Sequence, residues 1–542
     1  MSVACPAASP PVARFAVPPG VVAVGVVLAS FALNLVYLAA DCPHDLAPDE
    51  AHYWDWSRQL DWAYYSKGPL VAWLIRASCR VFGDTPFGVR FPTAVCAALS
   101  LAAVYRLAAD HFGPRVGLHT LLVGLTLPLV STGATVMTID APLLACWAWA
   151  AVAVRHNRWT AAGLLCGVGV LAKPTMLLFP ACVGLWLLAS GRREPAEEAG
   201  RVRRVPRYPG GFLSRLTPAA RRGGFLRLIA PTLLGLTPQL YWNATHGWVS
   251  LSHLGWQGTG AGRASPGLLG PPVFVATQAG VLLGFWLIAG VLACRRIDLR
   301  TALLWWLTVP VWLLFAAVSL SAKPQANWPA VAYVGGLPLA VAWATHPARS
   351  PWVGRGLVAA CGIGVAVSFV AHFPAIVRPA LARLAGPPTA TDPAPVRRFD
   401  PSVRLAGWQT LAKEVDRLRN QVGEETGDEP LVAGMSWTLP GELAFYCDGH
   451  PTVYCFSLAA GERHSQYDVW RPNPTADAQA FRGRAFIYVG ELNPDILGAF
   501  DRVGPPVEVN ASDGGIPVNR WVVRACFGFR GFPADTAKGR GF

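Results

Sequence analysis

The stretch from Ala47 to Pro92 carries the densest set of side chains able to do chemistry. Around it Asp45, Asp49, Glu50, Asp55 and Asp61 alternate with Tyr53, Trp54, Trp56, Trp62, Tyr64 and Tyr65 and with the cations Arg58 and Lys67. A solvated linker has no need of so many aromatics. A carboxylate beside a lysine suits proton removal from an acceptor next to an anionic leaving group. Similar charges recur further on. Asp140 stands in T-I-D-A-P, Lys173-Pro174 closes an apolar run, and Lys323 opens K-P-Q-A-N-W-P, which also holds Asn327. Charges at the ends of apolar runs are costly against lipid, so they tend to line a polar cavity.

Each of these residues also has a plainer reading. Asp49 and Glu50 serve equally well as caps for a helix starting near Ala51. On spacing alone, Asp140 reads more readily as a helix cap, and Lys173 and Lys323 as snorkelling anchors. His44, His52, His246 and His253 are too scattered to make a metal site by spacing. The sequons at Asn243 and Asn510 are short enough to arise by chance.

The elements that position these residues are membrane helices. Of the 542 residues 53% are hydrophobic and only 14% charged, against roughly 25% charged in soluble domains. Twenty-two tryptophans fit lipid–water interfaces. Apolar runs predict about eleven spans: 20–40, 88–108, 116–134, 139–154, 159–172, 174–190, 226–246, 272–293, 301–321, 328–345 and 353–375. The first is expected to be a retained helix, since no small-residue cleavage site follows it. The net charge of +14 is explained by arginine in alternate loops, not by nucleic acid. With the N-terminus inside, Arg14, Arg106, Arg115, Arg155, Arg158, Arg295, Arg296, Arg300, Arg349 and Arg355 all fall inside. So does 191–225, with nine Arg against three Glu, which reads as a basic cytoplasmic linker. Asp49, Glu50, Asp140, Lys173, Arg263, Lys323 and the C-terminal region then fall outside.

The sequence divides into a membrane part (1–378, with an outer loop at 41–87) and a soluble extracytoplasmic part (379–542). A Pro-rich linker at 386–395 leads to a helix expected near 405–422. Strands are expected at 431–435, 452–456, 486–489, 507–509 and 521–526, which makes a small α/β domain. The twelve cysteines show no C-x-x-C spacing, and most of those in apolar runs read as core residues. Spacing leaves pairing of Cys447 with Cys455 open.

Six blocks in order resemble the family 39 glycosyltransferases, relatives of protein O-mannosyltransferases and of the lipid A aminoarabinose transferase. They are D-E-A-H-Y-W-D-W-S-R-Q-L-D-W-A-Y-Y-S-K-G-P (from Asp49), F-G-D-T-P-F-G-V-R-F-P (from Phe82), T-I-D-A-P-L-L (from Thr138), A-K-P-T-M-L-L-F (from Ala172), P-Q-L-Y-W-N-A-T-H-G-W (from Pro238) and K-P-Q-A-N-W-P-A-V-A-Y (from Lys323). The resemblance implies a C-type glycosyltransferase fold with its active site on the extracytoplasmic face of the inner membrane. It implies a polyprenyl-phosphate sugar donor and a glycan, lipid or protein acceptor. By motif, Asp49 matches the carboxylate that acts as base or orients the acceptor, Asp140 the second-loop carboxylate, and Lys67 a lysine near the donor phosphate. Glu50, Lys173, Lys323 and Asn327 match motif positions, and Arg90 is a second candidate for the phosphate. Tyr64 and Tyr65 could stack on sugar or simply pack. Ser66 replaces a metal-binding Glu of some relatives and His52 replaces a cation, which leaves a divalent metal cofactor open, with His52 as a compensating ligand. The rival readings are a transporter or flippase of a lipid-linked substrate, disfavoured by the lack of an internal repeat, and a non-catalytic scaffold for the C-terminal domain.

Overall fold

The computed structural model describes residues 17–40, 42–191, 218–259, 266–295, 298–461 and 463–533. Most of the expected basic linker, from 192 to 217, lies outside the described residues, as do Arg14, Arg263 and Arg296. The membrane part runs α1 (Pro19–Ala40), α2 (Pro48–Arg58), α3 (Leu70–Phe82), α4 (Pro86–Phe112), α5 (Pro114–Thr126), α6 (Pro128–Gly133), α7 (Asp140–Arg155), α8 (Trp159–Ala172), α9 (Leu178–Gly191), α10 (Pro218–Leu234), α11 (Thr237–Thr245), α12 (Val249–Thr259), α13 (Gly270–Val281), α14 (Phe285–Cys294), α15 (Ala302–Val318), α16 (Ala330–Ala344) and α17 (Pro351–His372).

Among the described residues, α1, α4 and α17 are long and apolar enough to cross a membrane, and α13 with α14 makes a fourth candidate if that bent pair is one span. The expected runs at 116–134, 226–246 and 272–293 are each broken. Pro128, which has no N–H to donate, starts α6 after Leu127 turns extended. Pro238 stands in the first turn of α11. Leu283 and Gly284 take positive φ, and the chain bends by 111° there. Helix α4 lies against α1, α5 and α7, α7 against α8, α8 against α10, and α15 against α9 and α16. Their shared core includes Trp147, Cys166, Phe179, Leu304 and Val331.

The C-terminal part contains α18 (Arg378–Ala385), α19 (Trp408–Thr426) and α20 (Thr438–Tyr446). Its strands are β1 (Leu431–Gly434), β2 (Val453–Cys455), β3 (Phe486–Val489), β4 (Phe500–Val503), β5 (Val507–Asp513) and β6 (Ile516–Phe529). They form one sheet in the order β2-β1-β3-β6-β4, with β5 also on β6. The β1 pairings are parallel and those of β6 antiparallel. The five expected strands are present. The edge strand β4 was not expected, because F-D-R-V exposes its central Asp501 and Arg502 and has no apolar alternation to announce it. Cys447 and Cys455 are both buried free thiols, so the pairing left open is not made.

The composition changes near 379, but the packing does not. Trp54, Trp56 and Tyr64 of the 41–87 segment share one apolar core with Leu411 and Val415 of α19, Leu439 and Phe445 of α20, and Ile487 of β3. Gly441 makes this approach possible: a Cβ there would come within 2.7 Å of the Ala51 and His52 backbone. Polar ties add to it. Asp45 accepts from Trp408 N and Gln409 Nε2 at 2.9 and 2.8 Å. Tyr446 Oη accepts from Leu46 N at 2.7 Å. Arg378, buried at the junction, pairs with Asp400 at 2.8 Å and with Asp513.

Candidate active site

Helix α2 begins where Pro48 presets the backbone angle of the first turn. Glu50, at the third position, reaches back to accept from Ala47 N at 2.9 Å. Its other oxygen accepts from Met137 N at 2.7 Å. Arg90 of α4 grips both oxygens, with Nη2 to Oε2 at 2.8 Å and Nε to Oε1 at 3.0 Å. The remaining Arg90 donors go to the carbonyls of His44 and Asp45 at 3.0 and 2.7 Å and to Cys42 Sγ at 3.2 Å. This pair is almost fully enclosed, with side-chain exposures of 1% and 0%. Glu50 and Arg90 are thus committed to each other and to the backbone, and they fix the loop rather than facing open space.

Asp49, the neighbouring residue, turns the other way. It is accessible to solvent yet sunk among protein groups, as on the floor of a recess. Tyr53 Oη, one helical turn on, donates to it at 3.4 Å. Burial lifts the Asp49 carboxyl above the usual range, and it outweighs the opposing pull of Lys67, the Tyr53 hydrogen bond and Arg463. Lys67 is pushed down to about 8, first by burial and then by Lys173, against the attraction of Asp49 and Asp140. Gly68 explains why Lys67 reaches this spot. A Cβ at 68 would collide with the Leu171 carbonyl at the end of α8, so only glycine lets the loop lie against the helix that leads into Lys173.

Three further predicted residues meet across separate elements. Lys173 Nζ donates to Asp140 Oδ1 at 2.8 Å. Asn327 Nδ2 donates to Asp140 Oδ2 at 2.6 Å. The Lys173–Asp140 pair keeps 12% exposure on each side. Asp140 and Asn327 also line a cavity of about 600 Å³. Its walls are mostly apolar, with Leu101, Leu144, Trp286, Trp312 and Leu337 among them. The charge of Asp140 is felt by Lys67, which links cavity and loop.

The other predicted residues lie elsewhere. Lys323 is exposed and makes no hydrogen bond or ion pair among the described residues. Tyr64 is buried, stacked on Trp56 at 4.3 Å, and donates to the carbonyls of Trp56 and Gln59, so it packs the loop. Tyr65 is also buried: its ring lies 4.9 Å from His253, and its N–H donates to Gln466 Oε1 at 2.6 Å. His52 faces the C-terminal part, with Nδ1 3.1 Å from Tyr467 Oη. Burial holds its ring down to about 3, so it is neutral. Among the described residues no three His, Cys, Asp or Glu side chains converge as metal ligands. With Ser66 in place of a carboxylate and His52 engaged by Tyr467, these residues do not make a ready metal seat.

Tyr53, Gln466, Tyr467 and Arg463 were missed in the sequence. Tyr53 was legible, since residues four apart share a helix face. The other three sit in a tail segment with no motif.

A family model described as dolichyl-phosphate-mannose-protein mannosyltransferase matches residues 66–199. The chain is 29% identical over 321 residues to the lipid A galacturonosyltransferase RgtD of Rhizobium johnstonii, covering 55% of this chain and 60% of that one. It is 31% identical over 189 residues to an undecaprenyl phosphate-alpha-4-amino-4-deoxy-L-arabinose arabinosyl transferase of Pseudomonas aeruginosa, covering 30% and 34%. Over these stretches the chain is similar to the family 39 glycosyltransferases. It aligns with less than two thirds of the length of either of these curated relatives. The crystal structure of ArnT from Cupriavidus metallidurans bound to undecaprenyl phosphate superposes with a TM-score of 0.56 at 20% identity, over 93% of this chain and 97% of that one. That likeness gives the fold: a C-type membrane glycosyltransferase fold with a C-terminal sheet domain.

Proposed function

We propose that this protein moves a sugar from a polyprenyl-phosphate donor to a lipid A or other envelope acceptor on the extracytoplasmic face of the inner membrane. The observation that carries this reading is Asp140, held by Lys173 and Asn327 in the wall of a mostly apolar cavity, with its charge and that of Asp49 both acting on Lys67. That arrangement suits an amphiphile with a phosphate head and a hydrocarbon tail. The curated relatives' names, which specify lipid A and undecaprenyl-phosphate-linked sugar, support the same substrate class.

The reaction is a single displacement. The acceptor hydroxyl oxygen attacks the anomeric carbon, and the bond from that carbon to the phosphate oxygen breaks. The electron pair leaves with the polyprenyl phosphate, whose charge Lys67 balances. Asp49 takes or orients the acceptor proton, and its raised affinity for protons helps it to do so. One displacement inverts the anomeric configuration. Lys173 and Asn327 hold Asp140, which keeps Lys67 charged. Glu50 and Arg90 hold the loop in place.

About eleven membrane spans, with the N-terminus inside and residues 379–542 outside, fit the arginine distribution and place the recess at the outer surface. The broken helices then count as spans with internal breaks. The division at 378/379 follows the change of composition. No observation favours a transporter or a scaffold over a transferase. The test is transfer by purified protein from undecaprenyl-phosphate-linked sugar to lipid A. Wild type transfers and Asp49→Asn does not, although both insert and fold. Full transfer by Asp49→Asn removes Asp49 from the mechanism.

A further inference from the structure

Asp49 stands in the first turn of α2, and Tyr53 follows one turn on. Residues four apart share a helix face, and Tyr53 Oη donates to Asp49 Oδ1 at 3.4 Å. Neither side chain makes another hydrogen bond among the described residues. The Tyr53 ring has little freedom. It is 4% exposed and lies 5.1 Å from the Trp56 ring. It belongs to the same apolar core as Met137 and Ile139, which lead into α7 and Asp140. Glu50, beside Asp49, accepts from Met137 N at 2.7 Å and so ties α2 to that segment. A phenylalanine would fill the same space. A hydroxyl in an apolar core is costly unless it is hydrogen-bonded. Of the two carboxylates in this turn, Tyr53 donates to the one that Arg90 does not hold.

We propose that Tyr53 is a positioning residue for transfer: its hydroxyl holds Asp49 Oδ1, which fixes the carboxylate and leaves Oδ2 to meet the acceptor hydroxyl. This rests on the transferase reading above. An unheld carboxylate samples several rotamers, and only those that aim an oxygen at the acceptor proton are productive. A donor to the charged form also favours ionisation, against the burial that opposes it. Lys67 and Arg463 act on Asp49 in the same direction as Tyr53, Glu50 acts against them, and Tyr53→Phe leaves all three in place. The hydroxyl itself does not titrate in this range. Burial first, then Asp49 and Asp140, against Arg463, raises it well above the ordinary phenol value. Tyr53 therefore acts through Asp49. The contact is long, as catalytic hydrogen bonds often are before substrate closes the site.

The test is the mass gain of added lipid A in membranes of cells that lack the native protein and carry wild type, Asp49→Asn, Tyr53→Phe or 2,3-difluorotyrosine at position 53. Rates are taken across pH and lipid A concentration, with thermal unfolding of each protein. In Tyr53→Phe the maximal rate falls about tenfold and the acid limb rises by about one pH unit, while KM for lipid A and the unfolding temperature hold. Fluorination strengthens the donor at the same shape, so the acid limb moves to lower pH; this variant decides if Tyr53→Phe does not fold. An unmoved rate and acid limb in the variants overturn the proposal. A raised KM with an unmoved limb also overturns it, since the tyrosine then touches the acceptor, and a lowered unfolding temperature alone leaves only a packing role. Transfer by Asp49→Asn at the wild-type rate removes Asp49, and Tyr53 with it, while the transferase reading stands. No mass gain with wild type ends the transferase reading towards lipid A and this proposal together.

Discussion

Two ion pairs of the membrane part, Glu50–Arg90 and Asp140–Lys173, meet their surroundings in opposite ways. Glu50–Arg90 is closed off, with exposures of 0% and 1% and its polar atoms engaged by backbone. Asp140–Lys173 stays partly open, at 12% on each side, and Asp140 lines a cavity. Both join elements distant in sequence, and both match family motifs. The difference teaches that a charge pair joining distant elements can fasten a site or form it, and that enclosure separates the two. Asp49 and Glu50, adjacent on α2, show the same division within one helical turn.

The largest expected effect is on the open side. Asp49→Asn lowers transfer by about 100-fold or more, the usual scale for a lost general base, with unfolding temperature held. The closed pair is expected to fail in the other currency. Arg90→Met leaves Glu50 buried without its partner and costs about 3–5 kcal/mol of stability, seen as a fall in unfolding temperature and in membrane abundance. Asp140→Asn, by contrast, costs transfer with little loss of stability. If Arg90→Met folds as wild type while Asp140→Asn unfolds, the comparison is reversed.

The pH profile sharpens the open side further. Transfer needs Asp49 ionised and Lys67 protonated. Asp49 titrates above the ordinary carboxylate range, so the acid limb lies higher than that of a free carboxylate. Lys67 loses its proton near pH 8, so transfer falls there. Asp140 helps to keep Lys67 charged, so Asp140→Asn shifts the alkaline limb to lower pH. An alkaline limb above pH 10 in the wild type argues against Lys67 as the burdened cation.

The smallest effect concerns the closed region. Glu442 on α20 is buried with neither oxygen hydrogen-bonded among the described residues. Burial first, then Asp45 and Glu50, raises its carboxyl well above the ordinary value. A group raised in the folded state gives its full stability below its unfolded value, and that stability is lost as pH climbs towards the folded value. Glu442→Met is therefore expected to stabilise the protein at neutral pH by about 1–3 kcal/mol, with a smaller gain at pH 4. Equal effects at both pH values place the ionisation elsewhere.

The site was legible where a local motif held both the residue and its reason. Asp49, Lys67, Asp140, Lys173 and Asn327 stand in short blocks at the ends of apolar runs, and the fold brings them together. Gly68 follows Lys67 in its block, and the structure gives the reason for a glycine there in the Leu171 carbonyl. Sequence could not assign His52, Tyr64 and Tyr65 between recess and core, because their partners include Tyr467 and Gln466 at the far end of the chain. Arg90 and Glu50 were seen as charges without their mutual contact. In the C-terminal domain, short runs of apolar, β-favouring residues were readable, whereas the short charged strand β4 becomes a strand only by pairing with the end of β6.

The most direct test is mass spectrometry of envelope glycolipids from cells that lack this protein, complemented with wild type or with Asp49→Asn at matched membrane abundance. The account predicts one sugar substituent that is present with wild type and missing both without the protein and with Asp49→Asn. The same glycolipid profile in all three strains, or full modification by Asp49→Asn, contradicts it.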